Sequence, residues 1–199
     1  MAAFYLTLVL AANSAVTAVT NAPDQIDELC TQLSLLSANH EPAEIYAELF
    51  DFKNTPGSYA WRAVPDRKTL EQLTATTPPD TQAFVWRVDT GTLVTMLIES
   101  QSGDWVLHAE YCFDSAGALR RSVATFNTFH AIDPVTDQAA PVSRVRTIYF
   151  GADGQVVEDT TILEDLKSLE PAPDRQFMDH NDPTYLKLAD LPFSDLMPK

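Results

Sequence analysis

The chain has 199 residues, enough for one domain with a substantial core, and its apolar share of 45% with 10% aromatics excludes wholesale disorder. Thirteen basic against 28 acidic side chains give a formal net charge of −15. Phosphate backbones and anionic membrane surfaces repel such a chain, so neither nucleic acid nor a lipid surface is an expected partner.

Residues 1–22 carry no charged side chain, and Ala3 to Val19 is mostly apolar. The stretch is too short and interrupted for a good membrane span. It ends in small residues, Val16-Thr17-Ala18, and reads as a secretory leader that lacks Lys or Arg at its start. The other reading is an N-terminal apolar helix or strand of a cytosolic protein. Residues 23–199 then form a single domain with no membrane span in the mature chain. Cys30 lies beyond Asp24, Asp27 and Glu28, too far along for a lipid anchor. Cys30 and Cys112 either close one disulfide, as an oxidising compartment permits, or remain two buried thiols.

Pro23 begins a predicted helix with Asp24, Asp27 and Glu28 in its opening turns, where the helix dipole favours acids. Ile26, Leu29, Cys30, Leu33 and Leu36 fall on one side of it. Ile45, Tyr46, Leu49 and Phe50 predict a second helix from Pro42 to about Phe52, stopped by Asn54-Thr55-Pro56-Gly57. Asp66 caps a short helix through Leu73. From Ala83 the apolar period drops to two, and six strands follow: 83–89, 92–100, 103–113, 118–129, 142–150 and 155–163. Short turns join them, except for a longer connection from Ala131 to Pro141. The fold class expected is therefore α+β, two N-terminal helices packed on a twisted antiparallel meander of about six strands. A Pro- and Asp-rich tail from Ser168 reads as irregular.

Tyr111-x-Phe113-Asp114-x-x-Gly117-x-Leu119 recurs as Ile148-x-Phe150-Gly151-x-x-Gly154-x-Val156. Two copies are too few for a repeat array, so they read as one hairpin solution used twice, with glycine at the left-handed position.

Turn geometry sets an expected register, with Asp89 opposite Thr92 and Glu99 opposite Asp104. Val85, Val94, Met96, Ile98, Trp105, Leu107, Tyr111, Phe113, Leu119 and Val123 then form the core face. The opposite face carries Phe84, Trp86, Leu93, Leu97, Val106, His108, Glu110, Cys112, Arg120 and Phe126. Its mixture of apolar and polar groups makes it the candidate binding face, with Trp86, Leu97, His108, Glu110, Arg120 and Phe126 as site residues. His108 beside Glu110 is the one arrangement with acid–base potential, and Arg120 is expected as an ion partner of Glu110. No nucleophile elbow, phosphate-binding glycine loop or zinc spacing occurs, so no cofactor or metal is assigned. Asp179-His180-Asn181-Asp182 lacks the ligand alternation of a calcium loop and reads as a solvated turn. The sequence names no reaction. The leading expectation is an extracytoplasmic binding or interaction domain for a small molecule or protein; the alternative is a small hydrolase or isomerase using His108 with Glu110.

Overall fold

An eight-stranded antiparallel sheet dominates the molecule. The computed structural model describes residues 23–51, 58–100, 102–177 and 181–198. The leader segment, the turn at 54–57, Asp179 and His180 all lie outside these residues. Helix α1 (Pro23–Asn39) comes first, followed by strands β1 (Glu44–Asp51) and β2 (Ser58–Val64), helix α2 (Arg67–Thr76) and strands β3 (Thr81–Val88) and β4 (Gly91–Glu99). Strands β5 (Trp105–Asp114), β6 (Leu119–Thr128), β9 (Val142–Phe150) and β10 (Val156–Asp165) complete the main sheet. The long β6–β9 connection holds a small ribbon, β7 (Ile132–Asp133) with β8 (Gln138–Ala139). Strand order in the main sheet is β10-β9-β6-β5-β4-β3-β1-β2.

Two helices on a six-stranded meander is therefore not the architecture. The segment expected as a second N-terminal helix is strand β1, paired on both sides, with β2 and with β3. Ile45, Ala47 and Leu49 point to one face and Tyr46 to the other, and all four are buried. A strand buried on both faces is a continuous apolar run, which helical spacing fits equally well. Strand β2, in a stretch without clear periodicity, supplies the eighth strand. Helix α2 starts where its cap predicts, with Asp66 Oδ1 accepting the Thr69 amide at 2.7 Å.

Each face of the sheet has its own cover. Against the first face lie Tyr185, Leu188, Leu191, Phe193 and Met197, packed on Tyr46, Val94, Met96, Tyr111, Phe113 and Phe150. The tail is thus a strap over the core rather than a loose end. Tyr111 donates its hydroxyl to the Pro183 carbonyl at 2.8 Å, and the Leu119 and Leu188 amides bond to Leu186 and Gly117 carbonyls at 2.9 Å. Earlier in the strap, Asp182 pairs with Arg144, whose guanidinium lies over the Phe126 ring.

On the second face α1 buries Ile26, Cys30 and Leu33 against Trp86, Leu93 and Cys112. Cys30 and Cys112 form a disulfide there, with Cα atoms 5.7 Å apart. Helix α2 covers the β1–β2 end through Leu70 and Leu73. Gly91 permits the tight seat of α1, since a Cβ there would stand 2.4 Å from the Phe113 carbonyl oxygen and 3.3 Å from Leu33. Gly117 and Gly154 close the two similar hairpins at φ of 76° and 78°, a left-handed conformation that favours glycine.

Candidate binding surface

One extra residue decides which side chains meet. The β3–β4 and β4–β5 ladders are shifted by two positions from the expected register, pairing Val88 with Gly91 and Glu99 with Val106. A shift of two keeps every side chain on its face, so Trp86, Leu97, His108, Glu110 and Cys112 lie on the second face as expected. The β5–β6 ladder instead contains a bulge, pairing Phe113 with Leu119 but Cys112 with Arg121. Arg120 is the inserted residue, and beyond it the facing of β6 reverses.

Two expected site residues therefore move. Phe126 belongs to the first face, buried between Trp105 and Phe177 at ring distances of 5.8 and 6.2 Å. Val123 correspondingly moves to the second face, opposite Glu110. Arg120 does not reach Glu110; its buried guanidinium faces Asp114 at 3.4 Å. Trp86 stays on the second face but lies under α1, donating its indole N–H to the His40 carbonyl at 2.9 Å. Trp86, Leu97, His108 and Phe126 thus do not border one groove. The consecutive pair Arg120-Arg121 inside an alternating strand was the readable sign of the inserted residue.

Glu110 is bound to its neighbours. Arg121 donates to it at 3.0 Å and to Asp27 of α1 at 2.9 Å. Tyr149 donates its hydroxyl to Asp27 at 2.8 Å, and Ser34 of α1 reaches Glu110 at 3.3 Å. Burial first, and the hydrogen bond to Asp27 second, push the Tyr149 hydroxyl above its ordinary pKa. This network clamps α1 beside the disulfide. Glu110 spends its acceptor capacity on α1 and Arg121, while His108, exposed on the same strand, makes no side-chain hydrogen bond among the described residues. With Cys112 in a disulfide its thiolate is not a ligand, and among the described residues no three His, Cys, Asp or Glu side chains gather as a metal cage.

Neither helix covers the remainder of the second face. A cross-strand row runs Leu97, His108, Thr125, Val145, Ile162 over five strands, and each side chain is half-buried or exposed. The next row toward α1 continues as Val123, Thr147, Thr160. Both rows mix apolar and hydrogen-bonding groups. Between Leu97 and Ile162 and between Val123 and Thr160 they carry no carboxylate, lysine or arginine, on a chain that is otherwise strongly acidic; Glu110 stands at the α1 end of the second row.

Two large clefts lie elsewhere among the described residues. One of 640 Å³ has Phe50, Tyr59, Pro78 and Pro79 as walls and the carboxylates of Asp80 and Glu99 at its rim. Next to Asp80, Glu48 is half-buried, accepting from Thr81 at 2.9 Å and from Trp61. Burial is the main cause that raises its pKa, Thr81 counters it, and the Asp80 charge adds to it. The other, of 550 Å³, opens between the Gly117 turn and the strap, with Arg87 and Lys187 on its walls. Distant segments form both, so no local motif marked them. Comparison of the chain with protein-family models, with curated protein sequences and with solved structures finds no match.

Proposed function

We propose that this chain is an extracytoplasmic interaction domain that engages a protein partner through the uncovered part of its second sheet face. The observation that carries the reading is the row from Leu97 to Ile162, which no described segment covers across five strands, while the strap packs on Tyr46, Val94, Tyr111 and Phe150 of the first face. A broad face of mixed apolar and hydrogen-bonding groups suits a macromolecular surface better than a small ligand, which favours an enclosed cavity. The net charge of −15 favours a partner surface that is neutral or basic. Location outside the cytoplasm is supported by the Cys30–Cys112 disulfide and by the leader-like composition of residues 1–22. Among the described residues no helix is long and apolar enough to cross a membrane.

The test is affinity capture from the extracytoplasmic fraction of the producing cells, using the intact protein and face variants. Leu97→Asp and Thr125→Asp each place a charge within the row without touching α1 or the strap. Capture of one defined protein that both variants lose is expected, while Val135→Asp, at a site 90% exposed elsewhere, retains it. Capture unaffected by Leu97→Asp and Thr125→Asp, or no protein captured by the intact chain, overturns the reading.

A further inference from the structure

We propose that two copies of this chain join edge to edge along β10, antiparallel, with Thr160 on the two-fold axis. Strand β10 ends the sheet, and described residues cover one stretch of its outer edge. After a turn, Glu170 accepts the Asp165 amide and Ala172 donates to the Leu163 carbonyl, both at 2.9 Å. From Val156 to Ile162 no described segment pairs with the outer edge. Val156, Val157 and Ile162 are 57, 46 and 54% exposed there. The strand contains neither Lys nor Pro, residues that commonly guard an edge. It does carry a bulge between Val156 and Glu158 and four acids, so the pairing is confined to the regular stretch after the bulge and its register is set by charge.

Those two covering bonds fix the phase of the free edge. Leu163 and Asp165 direct main-chain groups outward. Because an antiparallel strand alternates, Asp159 and Thr161 do the same, while Thr160 and Ile162 turn theirs toward β9. The outward donors and acceptors of the bare stretch therefore include the N–H and C=O groups of Asp159 and Thr161.

Charge then selects one register. In a continuous antiparallel sheet, residues opposite one another share a face, so the axis passes through a residue rather than between two. Centred on Asp159, the pairing sets that carboxylate against its own copy. Centred on Thr161, it opposes Glu158 with Glu164 and needs the Leu163 carbonyl already bonded to Ala172. Centred on Thr160, it opposes Asp159 with Thr161 and Glu158 with Ile162, with no acid facing an acid. Asp159 and Thr161 of opposite copies then exchange N–H···O=C bonds on both sides of the axis. Arg146, which grips Asp159 at 2.7 and 3.0 Å, offsets part of the charge that this carboxylate brings to the edge. The edge is thus self-complementary, which favours a second copy over an unrelated strand. The pairing is short and each copy carries a net charge of −15, so the dimer is concentration-dependent and strengthened by salt.

The test uses the purified full chain and engineered thiols. Both native cysteines are in the disulfide, so a new cysteine is the sole free thiol. In 0.5 M salt (about three times physiological strength), Thr160→Cys should cross-link to a covalent dimer under mild oxidation, read by non-reducing intact mass. Thr161→Cys, which faces Asp159 of the other copy, should stay monomeric. Light scattering of the unmodified chain should show reversible dimer formation between micromolar and millimolar concentration. Thr161→Pro, which deletes an outward N–H and leaves the β9 ladder intact, should weaken it by about tenfold or more. A monomer throughout that range, or equal cross-linking at both positions, overturns the proposal. Partner capture lost through Leu97 and Thr125 is a separate result that neither outcome changes.

Discussion

Phe193 of the strap stacks on Tyr46 of β1, ring centroids 4.5 Å apart and planes inclined by 22°, and meets Trp61 of β2 at 4.8 Å with planes inclined by 45°. It is 1% exposed. Truncation to alanine leaves a cavity lined by two aromatic rings, and Phe193→Ala is expected to lose about 3–4 kcal/mol in urea unfolding. Phe129→Ala, at a site 58% exposed, should change stability by about 0.5 kcal/mol or less. Equal effects at the two positions would mean that the strap does not hold its place on the core.

The Cys30–Cys112 bond closes a loop of 82 residues. On the chain-entropy view such a closure stabilises by about 4 kcal/mol. The double variant Cys30→Ala/Cys112→Ala should lose an amount of that order. Addition of a reductant to the native protein should shift the urea midpoint in the same direction, and a midpoint unmoved by complete reduction would contradict it.

Arg121 joins Glu110 and Asp27, with side-chain exposures of 13, 20 and 45%. Arg121→Met removes both ion pairs and leaves Glu110 partly buried. The expected loss is about 1–3 kcal/mol, reduced from the fully buried case because Asp27 retains water. Hydrogen exchange should locate the effect, with α1 amides exchanging faster than those of β9.

Glu48 gives a pH dependence of defined sign. Its carboxyl pKa is raised in the fold, chiefly by burial, so the folded chain holds a proton that the unfolded chain releases. Its contribution is fully present below the unfolded pKa and is lost as pH rises through the folded one. Glu48→Gln keeps an acceptor for Thr81 and carries no charge. The variant should be the more stable protein at neutral pH, with the gap in urea midpoint shrinking as pH falls below the ordinary carboxyl range. A gap constant with pH would rule this out.

Much of the sheet was legible because its signals are local. Strands β3–β6, β9 and β10 sit between glycine- and aspartate-bearing turns, and their two-residue period distinguishes the faces as far as Phe113. The Cys112–Arg121 bulge ended that legibility: one unpaired residue reversed β6 and exchanged Phe126 for Val123. Strand β1 was hidden because Tyr46 and Ile45 are buried on opposite faces, so no polar alternation marks it. The strap was hidden for another reason. Tyr185, Leu188, Leu191, Phe193 and Met197 follow no sustained period, and their partners lie in β1, β4 and β5. Of the candidate site, Leu97, His108 and Glu110 were placed on the right face, but only tertiary contact shows Glu110 committed to α1 through Arg121 and Ser34.

The strap also sets an order of events during synthesis. The hairpins from β3 to β6 need only neighbouring residues and can pair as they emerge, whereas Tyr46 gains its ring partner only once residue 193 has been made. Until then the first face presents Tyr111, Phe113 and Phe150 to water. A sheet formed before the strap is made would therefore be covered on one face only, and a cut in the strap is expected to bare the same side chains again.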